Sequence, residues 1–176
     1  MKYKTYLYEP IIGKDEKKFV NDCLNSNWIS SKGDYIAKFE KKFSQYIKIK
    51  HSLTVSNGTA ALHLALLALD LKKSDEVIVP TFTYISPVNA INYIGSRIKF
   101  IDSDLETWQI NIDELKKNIS KRTKAIIVPH LYGQVCNIKK ISEICKKKKI
   151  FLIEDSAEAF GCYYKKKHLG TFGDIS

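Results

Sequence analysis

Three short stretches hold residue types able to grip a charged, flat ligand: Ser56-Asn57-Gly58-Thr59, Thr81-Phe82-Thr83-Tyr84 and Asp155-Ser156-Ala157-Glu158. In TVSNGTAALHLALLAL a small polar turn runs into a strongly apolar helical pattern. The first N–H groups of such a helix lack partners, and its dipole is positive at that end. Ser56, Gly58 and Thr59 add hydroxyls and further N–H groups, a combination that suits one phosphate monoester. Asp155 ends the apolar run IFLIED, where a carboxylate is costly unless a cation or a donor meets it. A protonated heterocyclic nitrogen is one such partner. Tyr84, within PTFTYIS, can lay its ring over a flat ligand. Each residue alone also has a plain reading: a turn with an N-cap, a helix cap or an ion pair with a lysine, an aromatic in the core. Together they describe a pocket for a phosphorylated aromatic cation.

Other chemistries lack their signatures. No GxGxxG follows the first apolar run and no GxxxxGK[ST] occurs, so neither a dinucleotide fingerprint nor a Walker loop explains the anion site. Cys23, Cys136, Cys145 and Cys162 show neither a CxxC pair nor zinc-site spacing. They read as reduced thiols filling structure, and no metal site is expected. The net charge of +10 comes almost wholly from lysine, Arg97 and Arg122 being the two arginines. Nucleic-acid binders interleave arginine and aromatics on one face, whereas these lysines crowd what read as helix ends, as in Lys146 to Lys149 and Lys165 to Lys167. Solvated termini are the favoured reading, and a nucleic-acid partner is not expected.

The elements that must position the three stretches are visible as patterns. Lys14 to Asn25 has helical spacing, and Asp34 reads as the N-cap of a second amphipathic helix, YIAKFEKKFSQYI. Glu76 to Pro80, Arg97 to Asp102, Lys124 to His130 and Ile150 to Asp155 are short runs dense in isoleucine and valine, and a strand is expected at Ser52 to Ser56 as well. Helical patterns at Pro87 to Tyr93, Ile112 to Ile119 and Ile138 to Lys148 separate them. This alternation predicts an α/β architecture with a parallel or mixed sheet covered on both faces. In such sheets ligands bind at the carboxyl ends of the strands, where the polar tips lie. With 176 residues, 44% of them hydrophobic, one sizeable core is expected. The opening MKYKTYLYEPIIGKDEKK has no apolar stretch followed by a small-residue cleavage site, and no apolar run reaches membrane-spanning length. A soluble, cytoplasmic protein is the expectation.

At the level of whole motifs, WISSKGDYIAKFEKKFSQYI, VSNGTAALHLALLAL, DEVIVPTFTYIS, FIDSDLETWQINID, KRTKAIIVPHLYG, LIEDSAEAFG and GTFGDIS resemble, in that order, the sugar-nucleotide aminotransferases of the DegT/DnrJ/EryC1/StrS family. The resemblance implies the pyridoxal-phosphate-dependent, aspartate-aminotransferase-like fold. Its large domain has a mixed, mostly parallel sheet with helices on both faces, here incomplete at the C-terminus. Residues 1–50 would form an N-terminal helical segment and 51–176 the α/β core, without the small C-terminal domain, and the strand at Ser52 to Ser56 would lack its usual sheet neighbours.

On the same resemblance, Gly58 and Thr59 hold the phosphate of pyridoxal 5'-phosphate, Tyr84 stacks on its ring, and Asp155 pairs with the ring nitrogen. Glu158 stands beside the phenolic oxygen. Glutamate at that position in an AEA context resembles the perosamine-forming branch, which aminates the C4 ketone of a GDP-linked 4-keto-6-deoxy sugar with glutamate as donor. Trp28, Ser30 and Ser31 fall in a loop that in relatives lies near the substrate, although a loop aromatic covering the core fits as well. No residue is assigned to catalysis itself, because the Schiff-base lysine of the family is expected beyond Ser176. The chain is accordingly expected to be a truncated form or fragment, forming a homodimer when full length and serving surface-polysaccharide synthesis. An inactive fragment and a sugar dehydratase of the same superfamily remain the alternatives.

Overall fold

A computed structural model of the chain describes residues 9–176; the opening residues 1–8, part of the stretch read above for a leader, lie outside them. Contacts divide the chain into two units, residues 1–54 and 55–176.

In the first unit, α1 (Lys14–Asn25) starts at Gly13, whose N–H donates to the Glu16 carboxylate at 2.7 Å. α2 (Asp34–Ile47) follows an exposed loop. Its N-cap is Gly33 and not Asp34, which is instead the first helical residue, where its charge still favours the positive helix end. Residues 51–55 form no regular element and join no sheet. The segment Ser52 to Ser56 thus lacks sheet neighbours, as expected, and does not form a strand. Its polar groups go to α2 instead: the Thr54 N–H donates to the Glu40 side chain at 2.8 Å, and the Ser52 hydroxyl to the Glu40 carbonyl at 2.6 Å.

The second unit is built on four parallel strands: β1 (Glu76–Pro80), β2 (Arg97–Ile101), β3 (Thr123–Pro129) and β4 (Phe151–Asp155), in the order β2-β1-β3-β4. Alternation along them sorts the core into two layers. Val77, Val79, Ala125, Ile127 and Ile153 face one side, where α3 (Gly58–Ala68) and α4 (Ile85–Ile94) contribute Leu62, Ala65, Leu66, Ala90 and Ile91. Ile78, Ile126, Val128 and Leu152 face the other, against Leu115 of α5 (Ile112–Asn118) and Ile138, Ile141 and Cys145 of α6 (Ile138–Lys148). Each fully buried leucine or isoleucine here contributes roughly 1.5–3 kcal/mol.

The helices are punctuated as their sequences demand. Asn57, Asn111 and Asn137 side chains cap α3, α5 and α6. Pro87 is tolerated because it lies in the first turn of α4, which ends at Gly95 in the left-handed region, φ 72°. Lys146, Lys147 and Lys148 occupy the last turn of α6, facing its negative end. Lys165 to Lys167 do not end a helix. They form the turn and the return strand of a short hairpin of β5 (Tyr163–Tyr164) and β6 (Lys167–His168). The four cysteines are free thiols, and burial pushes Cys145 up to about 12 and Cys136 higher still, so neither is a thiolate near neutral pH. Among the described residues no helix is long and apolar enough to cross a membrane, and no cluster of side chains has metal-ligand geometry.

Candidate functional site

The chain leaves β1 toward β2 on one side and leaves β3 toward β4 on the other, so β1 and β3 are neighbours whose connections diverge. Divergence opens a crevice at the carboxyl ends of the two strands. A cavity of about 320 Å³ lies there, lined by Gly58, Thr59, Leu62, Thr83, Tyr84, Ser86, Pro129, His130, Leu131, Asp155, Ala157 and Glu158.

Two helix starts meet at its rim. Asn57 caps α3 by accepting the Ala60 N–H at 2.9 Å, and Ala61 is the first residue to bond back into the helix, to the Asn57 carbonyl. The N–H groups of Gly58 and Thr59 thus have no intrahelical acceptor. α4 begins on the same cavity, with Tyr84 as its N-cap residue and Ser86 in its first turn. The hydroxyls of Thr59 and Ser86 lie 2.8 Å apart and tie the two starts together. Two positive dipole ends, two hydroxyls and free N–H groups converge on one corner, which can hold a dianion.

The opposite wall comes from β4 and the loop after it. Pairing Pro129 with Asp155 brings the ends of β3 and β4 level, and alternation turns Asp155 to the α3 and α4 face. Burial pushes the Asp155 carboxyl above the ordinary carboxylate range, and the charge of Glu158 adds to this, while the Ala157 N–H and His130 pull the other way. An acid so placed gains from a cationic ligand. Glu158 accepts the Tyr132 N–H at 2.6 Å, in a turn where Tyr132 and Gly133 both have positive φ, 54° and 73°. Tyr84 is 68% exposed, so its ring is open to a ligand rather than locked in the core.

Gly58, Thr59, Tyr84, Asp155 and Glu158, singled out in the sequence, therefore share one cavity. Trp28, Ser30 and Ser31 belong to the other unit. They lie in the exposed loop between α1 and α2 of the first unit, whereas the cavity is built wholly from the second. Thr83, Ser86 and His130 also line the cavity, and sequence reasoning assigned none of the three a role of its own. Thr83 and Ser86 flank the chosen Tyr84, and the strand-tip rule covered His130, but nothing local tells that their polar atoms turn to one space. The Thr83 hydroxyl and His130 Nδ1 are buried without a partner among the described residues.

Residues 10–176 match the model of the DegT/DnrJ/EryC1/StrS aminotransferase family. The chain belongs to that family. The DegT/DnrJ/EryC1/StrS aminotransferases depend on pyridoxal phosphate. Among relatives, the GDP-perosamine synthase of Escherichia coli O157:H7 is 54% identical over 176 residues, covering 100% of this chain and 48% of that protein. Two solved structures superpose closely. An aminotransferase from Psychrobacter cryohalolentis has a TM-score of 0.89 at 33% identity, covering 93% of this chain and 42% of its own. The E. coli GDP-4-keto-6-deoxy-D-mannose-3-dehydratase, solved with hydrated pyridoxal phosphate, gives 0.89 at 32% identity, covering 95% and 44%. The chain spans about half the length of the curated relatives it matches.

Proposed function

We propose that this chain forms the pyridoxal-phosphate-binding part of an aminotransferase acting on a nucleotide-linked keto sugar, with glutamate as amino donor. The observation that carries the reading is the convergence of an anion corner, an open aromatic ring and a carboxyl raised by burial in one cavity at the switch point of the sheet. The donor set fits the cofactor. The starts of α3 and α4, with Thr59 and Ser86, bind the phosphate. Tyr84 covers one face of the ring. Asp155, which burial makes reluctant to hold a bare charge, accepts the hydrogen of the ring nitrogen and keeps it protonated. Glu158, anchored on the Tyr132 N–H, stands at the edge for the phenolic oxygen. When bound, pyridoxal phosphate supplies an electron-accepting ring that stabilises the carbanion left when Cα of an amino acid loses its proton.

Trp28, Ser30 and Ser31 are assigned to the substrate side, and the GDP-linked 4-keto-6-deoxy sugar is the favoured substrate because of the likeness to GDP-perosamine synthase. Surface-polysaccharide synthesis, a cytoplasmic location and a homodimeric full-length protein belong to the same reading. Residues 1–50 would serve as the helical segment and 51–176 as the cofactor-binding core.

Among the described residues no lysine lines the cavity. The chain is therefore expected to bind the cofactor reversibly and not to transaminate by itself. An absorbance titration with pyridoxal phosphate checks this: saturable binding that inorganic phosphate weakens, with nothing fixed to the cavity after borohydride, is expected. No saturable binding overturns the reading. The likeness to the E. coli dehydratase favours a second reading, removal of a sugar hydroxyl with the same cofactor. With a longer protein carrying this chain, nitrogen retained in the sugar product marks the aminotransferase, and a lost ring hydroxyl marks the dehydratase.

A further inference from the structure

Glu154 is an acid the cavity does not use. It is 1% exposed and lies on the face of β4 opposite Asp155. Its Oε1 accepts the N–H groups of Phe172 at 2.6 Å and Gly173 at 2.7 Å, and its Oε2 accepts the Gly170 N–H at 3.0 Å. His130 Nε2 lies 3.1 Å from the same Oε2. Burial alone would push the Glu154 carboxyl up, but the His130 bond and the three N–H donors outweigh it and hold it below the ordinary range. A carboxylate so held can only accept, so Nε2 of His130 carries the hydrogen between them.

The turn that supplies the donors is shaped to reach this acid. Gly170 has φ 80°, and a Cβ on Gly173 would fall 2.6 Å from the Leu152 carbonyl, so the backbone can approach β4 only as glycine. His130 also donates its backbone N–H to the Asp155 carbonyl at 3.0 Å. The ends of β3 and β4 are thus tied twice, through the backbone on one side and through the imidazole and Glu154 on the other. Asp155 is the next residue along.

The geometry points to Glu154 and His130 as a positioning pair: by clamping the end of β3 to the end of β4 and to the turn at 170–173, they fix where Asp155 presents its carboxyl to the ligand. This rests on the reading of the cavity as a pyridoxal-phosphate site. It also explains why an amide would not serve, since a glutamine would turn its NH₂ group against one or more of the four donors.

The test compares Glu154→Gln with Glu76→Gln. Glu76 is also buried and hydrogen-bonded, to Thr123 and Ser120, but at the far, amino end of the sheet. Three measurements are made on the chain: the ¹⁵N resonances of the His130 ring, the ¹³C resonance of the Asp155 carboxyl, and the affinity for pyridoxal phosphate. Both variants lower the unfolding midpoint. Glu154→Gln alone is expected to shift the His130 and Asp155 resonances and to weaken cofactor binding about tenfold, the scale of a small misplacement of a contact group. His130→Asn, which leaves the acid its three backbone donors, is expected to weaken binding similarly and covers the case in which Glu154→Gln does not fold. Asp155 resonances and affinity that move no more in these two variants than in Glu76→Gln overturn the proposal. A wild-type chain that fails to bind pyridoxal phosphate would sink the cofactor reading instead, and the resonances would still decide this one.

Discussion

The amino and carboxyl ends of the one parallel sheet treat their polar side chains differently. At the amino end the accounts close: Glu76 accepts the Thr123 hydroxyl at 2.9 Å and the Ser120 hydroxyl at 3.3 Å, and Ser96 donates to the Lys72 carbonyl at 3.1 Å. At the carboxyl end they do not. Thr83 after β1, Ser103 after β2, His130 after β3 and Ser156 after β4 each bury a polar atom with no partner among the described residues. Leaving a buried donor or acceptor unpaired costs about 1–3 kcal/mol, so four at one end of a sheet need a cause. On the proposed function a ligand supplies it for Thr83, which lines the cavity. The difference teaches where to look for chemistry in a fold of this type: at the end whose hydrogen-bonding capacity is left over.

The largest break in that contrast is expected from Asp155→Asn. The variant keeps the shape but removes the charge that answers a protonated ring nitrogen. A hydrogen bond to a charged group is worth about 1.5–3 kcal/mol, so pyridoxal-phosphate affinity should fall between about tenfold and a hundredfold, read by the same absorbance titration. An equivalent change at the amino end, Glu76→Gln, should leave the affinity alone.

Stability should move the other way, which sharpens the comparison. The Asp155 carboxyl is raised in the folded chain, so without ligand it destabilises the fold above the unfolded carboxylate pKa, and the loss is relieved as pH falls through the folded value. Glu154 is lowered, so its contribution is fully present above the unfolded pKa and is lost as pH falls through the folded one. At neutral pH the ligand-free Asp155→Asn chain is therefore expected to be more stable than wild type, by about 1 kcal/mol, the usual scale when a strained functional group is removed. The gain should vanish once pH drops below the range in which Asp155 titrates. Urea midpoints across pH measure both effects, and an Asp155→Asn chain less stable than wild type at neutral pH would contradict the assignment of strain to that carboxyl.

Much of this arrangement was legible in the sequence because it is periodic or local. EVIVP gave β1 at the bounds observed, and Lys14 to Asn25 and Ile138 to Lys148 gave α1 and α6, since apolar spacing is written in the chain itself. Asp155 was legible because an acid ending an apolar run stands out. Glu154, its neighbour, was not, since its four donors come from 16 to 24 residues away and only the β3 to β4 register brings His130 opposite. The hairpin of β5 and β6 was hidden in YYKKKH, where Lys165 takes φ 57°, a conformation lysine does not advertise. Residues 51–55 carry strand-like composition, yet Glu40 of α2 takes the Thr54 N–H that a ladder would need.

The smallest expected effect lies at the anion corner, where the contrast between the two ends is most finely drawn. The Thr59 and Ser86 hydroxyls bond each other across 2.8 Å and so are partly satisfied without a ligand, unlike Thr83. A phosphate arriving there gains two hydroxyl donors but must compete with the bond they already share. Removing one hydroxyl therefore costs less than a full anion contact: Thr59→Val and Ser86→Ala should each weaken pyridoxal-phosphate binding by about 1 kcal/mol, near fivefold. Because the two hydroxyls lie in contact, the double variant should fall short of the sum of the singles. A double-mutant cycle on binding affinity reads the coupling directly. Strict additivity would mean that the two hydroxyls meet the phosphate independently, and that the 2.8 Å bond between them is replaced rather than kept when the ligand binds.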